Sequence, residues 1–478
     1  MNSIIQYIKS NKINIVMMIA WLIITIISLC HHEMWRDEAR VWNIIENNSG
    51  IELYDAIRKD GHPFLWYIIL LPFIRLGIEP ISMQICSLIL VFHAVVFFLH
   101  KSKLNYFAKF LCVFSAGMLY YLPIIARNYS LMPITLFLFA GIYTKRNTYP
   151  IIYALILCLI SQTHALLWGL YFISTILFVI EEVKYIIKSR EKMRVFSIIL
   201  LTLNSLFLIY SYYDVIFNNS YINLSSNSLI TFTLSELNTF LTTIKNTFAG
   251  SEFVVFTELL FIMGIIYILI KNNLKLFSIF SISLFSMYYI LAKVWFNGIQ
   301  YQKFIIFALL ILVFTHIIEE KKYVNNKNLS IIMTVFLLIH FIFPFSGKLI
   351  QRDINDVFSF GPLVAQIVNE RLKENEEVLL ITYNYHYDSI IVEINKKNKE
   401  KIKYFEPMLT DEYLKNFSSS DINNYINNTQ SNIKYVVINS PIIPNDMDIH
   451  FNKIYDSNTR NNIPETCGDE VFSLYKKK

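Results

Sequence analysis

The sequence predicts a multi-span α-helical membrane protein carrying a small C-terminal α/β domain. Three observations predict it. Hydrophobic residues make up 55% of the 478 and charged residues only 16%, against roughly 25% charged in a soluble domain. The apolar residues gather into runs of membrane-crossing length as far as residue 346, and after Gly347 the runs shrink to strand length. A soluble globule with a mean hydropathy of +0.44 would expose apolar patches and aggregate, and a disordered chain would leave the same surface in water.

A span needs about 20 mostly apolar residues. The runs that approach this are 13–30, 80–99, 107–126, 129–144, 149–163, 165–181, 195–217, 252–270, 276–296, 304–318 and 329–346. The first run is long for a signal-peptide core and lacks a small-residue cleavage site, so it reads as a retained span. The formal net charge of +6 comes from short basic clusters between the runs, around Lys9, Lys101, Lys145, Lys184 to Arg194, Lys271 and Lys321. That is the pattern of cytoplasmic loops, not of a nucleic-acid-binding face. Placing every cluster inside gives about 11 transmembrane helices, a cytoplasmic N-terminus and an extracytoplasmic tail. The alternation closes if 63–77 lies along or dips into the outer interface. The chain is thus expected in the cell membrane, in contact with membrane lipid, as a polytopic domain 1–346 with first outer loop 31–62, and an extracytoplasmic domain 347–478.

In the tail, Val378 to Tyr383, Ile390 to Ile394, Tyr435 to Ile438 and Phe472 to Tyr475 read as strands, with a helical pattern at Pro362 to Glu374. The odd cysteine count, with Cys86, Cys112 and Cys158 inside apolar runs, argues against a disulfide framework. No Cys/His spacing suggests a metal, and Asp446-Met447-Asp448 reads as a solvated turn.

Charged groups are costly at bilayer depth, so their placement is informative. The densest set follows the first span: His31, His32, Glu33, Trp35, Arg36, Asp37, Glu38, Arg40 and Trp42. Asp60, Gly61, His62 and Pro63 come next. Arg127, Asn128 and Tyr129, then Gln162, Thr163 and His164, then Gln300, Tyr301 and Lys303 fall in later outer turns. Taken locally, Asp37 is equally well a helix N-cap before an apolar face of Val41, Trp42 and Ile45. Trp35, Trp42 and Trp66 read as interface anchors. Jointly, acids and bases collect at one membrane face. A carboxylate there can take a proton from a hydroxyl, and a guanidinium can hold a lipid phosphate as it leaves.

Trp35-Arg36-Asp37-Glu38-Ala39, followed by Gly61-His62-Pro63-Phe64-Leu65-Trp66-Tyr67, resembles the first outer loop of the GT-C membrane glycosyltransferases, in the branch of protein O-mannosyltransferases and lipid A aminoarabinose transferases. Ala126 to Leu131 is similar to that family's Arg-x-Tyr segment, and Gln162-Thr163-His164 to its Thr-His turn. The resemblance covers residues 10–180. It implies a GT-C-like helical fold and inverting transfer of a sugar from a polyprenyl-phosphate donor to a glycan, lipid or protein acceptor, with neither cofactor nor metal. It implies catalytic roles for Asp37 and Glu38, and donor binding by Arg36, Arg40, His62, Arg127, Tyr129, His164 and Lys303. Phe64 departs from the second proline usual after His-Pro. Lys303 stands where relatives carry an arginine, and lysine lacks the bidentate fork. A transporter or flippase of a lipid-linked sugar predicts charges along a path through the spans, where Glu258, Lys293, His93, His316 and His340 stand. A polysaccharide polymerase is a related enzyme alternative, and a scaffolding membrane protein whose tail recruits partners is a third reading.

Overall fold

The computed structural model describes residues 11–189, 192–213, 242, 252–294, 300–342, 345–355, 357–382, 387–405, 417–429, 432–439, 442–457 and 472–478. In chain order the helices are α1 (Lys12–Leu29), α2 (Arg36–Asn47), α3 (Gly50–Asp60), α4 (Leu65–Arg75), α5 (Ile81–Lys101), α6 (Tyr106–Val113), α7 (Met132–Tyr143), α8 (Pro150–Ser161), α9 (Trp168–Ser189), α10 (Lys192–Ser211), α11 (Glu252–Asn272), α12 (Leu274–Val294), α13 (Gln300–Lys321), α14 (Asn326–Ile342), α15 (Ser346–Asn355), α16 (Gly361–Arg371), α17 (Asp388–Ile391), α18 (Lys396–Lys399), α19 (Ser419–Asn428) and α20 (Met447–His450). The strands are β1 (Glu377–Ile381), β2 (Ile402–Tyr404), β3 (Ile433–Asn439), β4 (Phe451–Asp456) and β5 (Phe472–Lys477). Contacts divide the chain into two units. One comprises Met1–Ile27, Ser49–Pro72 and Ile81–Leu349, and the other Ser28–Asn48, Phe73–Pro80 and Ile350–Lys478.

The first unit is helical. Among the described residues, six segments are long and apolar enough to cross a membrane: Lys12–Leu29, Ile81–Lys101, Ala165–Ile187, Met193–Ser211, Leu274–Lys293 and Asn326–Asn355. The protein therefore has the helices of a multi-span membrane protein. The expected spans at 252–270 and 304–318 are also helical, in α11 and α13. Others fall short. The helices α7 and α8 have 12 residues each, which at 1.5 Å per residue reach ~18 Å, against a hydrocarbon core of about 30 Å. The segment 63–77 supplies only the 11-residue α4. The expectation of about 11 complete crossings is thus met only in part.

The run 107–126 is not one continuous α-helix. Its helix α6 stops at Val113, and the backbone rewinds as a π-turn over Gly117–Tyr121. A Cβ on Gly117 would lie 3.0 Å from Cγ2 of Ile305, so the missing side chain admits α13. Breaking a helix in apolar surroundings frees carbonyls that need donors. Ser346 Oγ donates to Phe114 O at 2.9 Å, Trp21 Nε1 to Met118 O at 2.9 Å and Ser87 Oγ to Leu122 O at 2.9 Å. Several basic residues of the inter-span clusters are paired. Arg146 meets Glu181 at 3.0 Å, Lys275 meets the same carboxylate at 2.7 Å, and Arg194 meets Glu182 at 2.8 Å.

The second unit holds a five-stranded sheet in the order β2-β1-β3-β5-β4. β1 runs parallel to β2 and β3, and β5 antiparallel to β3 and β4. Alternate residues face opposite layers. Val378, Leu380, Val437 and Leu474 pack with Val364, Ala365 and Val368 of α16. Leu379, Ile381, Val436 and Ile438 pack with Ile422 and Ile426 of α19. Three expected strands are present. Residues 390–394 are a correction: they begin in α17 and continue as a turn, because an apolar run of five cannot separate strand from buried helix by pattern. Asp446 stands in a partly exposed turn, as expected, with Met447 buried behind it and Asp448 exposed. The Asp446 carboxylate accepts Ser419 N–H at 2.8 Å and Ser419 O–H at 2.9 Å, at the start of α19.

Helix α2 belongs to this unit. It buries Ala39, Val41, Trp42 and Ile45. Asn43 Nδ2 donates to Asp388 Oδ1 at 2.8 Å, and Lys399 pairs with Glu46 at 2.6 Å. Trp35, Trp42 and Trp66 are all buried in protein. They are packing residues, which corrects their reading as interface anchors.

Candidate functional site

The residues singled out by the sequence fall into two groups, one in each unit. In the first unit, Gly61 ends α3 in the left-handed conformation, with φ +78°. That turn delivers His62 and Pro63 to the start of α4. The His62 backbone is held by Tyr212, whose hydroxyl donates to its carbonyl at 2.6 Å. Leu65 N–H donates to Gln162 O at 3.3 Å, joining the His-Pro turn to the Thr-His turn. Arg127 stands in extended backbone before a tight turn over Asn128–Leu131.

These turns bring together side chains that lie far apart in the chain. Arg127 Nη2 is 3.3 Å from His62 Nε2, and Asn128 Nδ2 is 3.4 Å from His62 Nδ1. A neutral imidazole has one donor and one acceptor. Accepting from Arg127 at Nε2 leaves Nδ1 protonated, so the Asn128 amide, whose Nδ2 also donates to Thr163 O at 3.4 Å, cannot donate to Nδ1 in the same state, and the neutral ring satisfies one of the two contacts at a time. His164 is fully buried, and its Nδ1 accepts Leu166 N–H at 3.1 Å. Burial, together with His62 and Arg127, holds its pKa well below the usual histidine value, so the ring is neutral. The His164 ring lies 4.6 Å from that of Tyr129 and 5.6 Å from that of His62. The Arg127 guanidinium lies 5.6 Å from the Tyr129 ring centre. The result is one permanent, half-buried cation flanked by two imidazoles and a phenol. Such a nest suits a phosphate or another oxyanion.

Neither a family model nor a curated protein matches this chain. Its functional reading rests on its own residues.

In the second unit, residues 32–35 form a non-helical approach to α2. Arg36 and Asp37 are half-exposed, with Arg36 Nε 3.4 Å from Asp37 Oδ1. Arg40, one turn on, is also half-buried. Glu38 is different: its side chain is 0% exposed, against 28% for Asp37. Glu38 Oε2 accepts the Trp35 N–H at 3.2 Å, closing the first turn of α2, and lies 3.1 Å from His32 Nε2. His32 Nδ1 lies 3.2 Å from Asp353 Oδ2. Burial alone would push the His32 pKa down; the carboxylates of Glu38 and Asp353 outweigh it and raise it to about 10. The ring is an imidazolium at neutral pH. Glu33 accepts Phe358 N–H at 2.8 Å, and burial raises its pKa.

Of the residues expected to act, His62, Arg127, Tyr129 and His164 share the first cluster, and Arg36, Asp37, Glu38 and Arg40 the second. The side chain of Lys303 lies outside the described residues. Sequence reasoning left out Asp353 and Tyr212, and it did not single out His32 within its dense set. An open cleft of about 890 Å³ is lined by Glu374, Lys401, Lys403 and Tyr425. It opens at the amino ends of β1, β2 and β3, opposite to the carboxyl ends where parallel sheets hold ligands, and none of the expected residues line it. Among the described residues, no group of three or more His, Cys, Asp or Glu has the arrangement of a metal site.

Proposed function

We propose that the chain is a membrane glycosyltransferase of the GT-C kind, moving a sugar from a polyprenyl-phosphate donor to an acceptor on the outer face of the membrane. The observation that supports this best is the nest of Arg127, His62, Asn128, Tyr129 and His164, built from three separate turns that the resemblance had singled out. In this reading Asp37 takes the proton of an acceptor hydroxyl. The acceptor oxygen attacks the anomeric carbon opposite the phosphate, and the carbon–oxygen bond to phosphate breaks. Its electron pair leaves with polyprenyl phosphate, and the configuration inverts. Arg127 takes up the added negative charge.

The test is release of polyprenyl phosphate from a panel of lipid-linked monosaccharides by the purified full chain, with crude membrane acceptors supplied. Release by wild type and none by Asp37→Asn is expected. Undiminished release by the variant removes Asp37 as the base. A second reading, movement of a lipid-linked sugar across the bilayer, is favoured by the buried Glu258–His340 pair within α11 and α14. Transfer of labelled donor between leaflets, with no release, would select it.

A further inference from the structure

We infer that His32 is a positioning residue, tying the Glu38 carboxylate to that of Asp353 and so fixing the first turn of α2, which carries Asp37. The inference rests on the reading of Asp37 as the base, and it gives the C-terminal part of the chain a role in the reaction.

The rest of α2 does not need His32. Ala39, Val41, Trp42 and Ile45 are buried, Asn43 is bonded to Asp388, and Glu46 is paired with Lys399. Ahead of the first turn residues 32–35 are not helical, and there Met34 and Trp35 are buried, with the Trp35 ring 6.2 Å from that of Phe358. Within the turn one oxygen, Glu38 Oε2, meets both Trp35 N–H and His32 Nε2. Successive residues on a helix point about 100° apart, so Glu38 faces inward while Asp37 reaches the surface. Turning the first turn to re-seat Glu38 would swing Asp37 with it. His32 itself has no freedom. Asp353 of α15 holds its other nitrogen, and the Phe358 ring lies 4.4 Å from its own. The charged groups around it are Glu38 from α2, Asp353 from α15 and Glu33 from the approach loop. Together they hold the bridge in one protonation state across the neutral range.

The experiment uses the full-length protein with His32→Gln, Asp353→Asn and Asp37→Asn, and a polyprenyl-phosphate monosaccharide that wild type turns over. His32→Gln is expected to lower kcat by about 10²-fold, the scale of an ångström's misplacement of a reacting group, with KM for the donor unchanged. Asp353→Asn removes one of the two carboxylates that raise the His32 pKa. Its kcat should therefore acquire a loss on the alkaline side of neutrality that wild type lacks, a change no general loosening of the fold produces. Full kcat in His32→Gln, or a wild-type pH profile in Asp353→Asn, overturns the inference. Should wild type release nothing from any donor, the glycosyltransferase reading falls, and amide exchange still decides the positioning. Faster exchange in His32→Gln confined to the first turn of α2 supports it. Unchanged exchange there, or faster exchange across the whole C-terminal sheet, overturns it.

Discussion

Nε2 of His340 lies 3.1 Å from Oε1 of Glu258, joining α14 to α11 with both side chains buried. A carboxylate in such surroundings is costly unless a partner stays with it. Replacing His340 by leucine strands the acid and should lower stability by about 3–5 kcal/mol, whereas replacing both by leucine should recover most of the loss. Thermal unfolding of the two single variants and the double variant in detergent measures this. A double variant no better than His340→Leu would show that the pair contributes packing and not charge compensation.

The pair also marks what the sequence made legible. Hydropathy located the long helices, and short apolar runs located β1, β3 and β5, because both patterns are local. His340 and Glu258 stood in separate apolar runs, and His32, inside the dense set, lies 321 residues from Asp353, which the sequence did not single out. Nothing local in either member announces its partner. The interruption of 107–126 was hidden for another reason: a π-turn changes hydrogen bonding while leaving apolar content intact. Burial of Trp35, Trp42 and Trp66 was likewise out of reach, since an aromatic beside a span looks the same whether protein or lipid covers it. The first cluster was the most legible part, because His62, Arg127, Tyr129 and His164 each stood in a short polar turn between apolar runs.

Close helix packing supplies a prediction independent of function. A Cβ on Gly169 of α9 would fall 1.8 Å from Ser286 Oγ and 3.2 Å from the Ile282 carbonyl on α12. Gly169→Ala therefore forces the two helices apart or displaces the serine, an overpacking cost of about 1–3 kcal/mol. Ser286→Gly in the same chain removes the nearest obstacle and should restore most of the thermal midpoint. Failure to restore it would mean that the Ile282 backbone, not the serine, sets the contact.

At the proposed phosphate nest, Arg127→Lys is the informative change. Lysine keeps the charge and loses the planar fork, one arm of which meets His62 Nε2. The donor kcat/KM should fall by about tenfold or more, equivalent to about 1.4 kcal/mol, with the folded yield unchanged. Steady-state release of polyprenyl phosphate measures it. Equal kcat/KM in the two proteins would mean that any cation suffices at this position.

Asp446 gives a pH prediction with a definite sign. Burial alone would raise its pKa, but the Ser419 N–H and hydroxyl outweigh burial and hold it below the usual aspartate value. A carboxylate depressed in the folded state contributes stability above its unfolded pKa and loses that contribution as pH falls through the folded value. The N–H it accepts is one of the unpaired donors at the start of α19, where negative charge is also favoured. Ser418 is the cap of α19, so Asp446→Ala should cost only a few tenths of a kcal/mol at pH 7, the low end for a screened charge beside a helix N-terminus, about 0.3 kcal/mol, and the cost should shrink toward zero as the solution is acidified below the folded pKa. Asp446→Asn keeps an acceptor and loses the charge, so its deficit should be smaller and nearly flat in the same range. Amide exchange over 419–428 at pH 7 and under acid reads both. A deficit in Asp446→Ala that persists unchanged in strong acid would assign the contribution to the turn's geometry rather than to its charge.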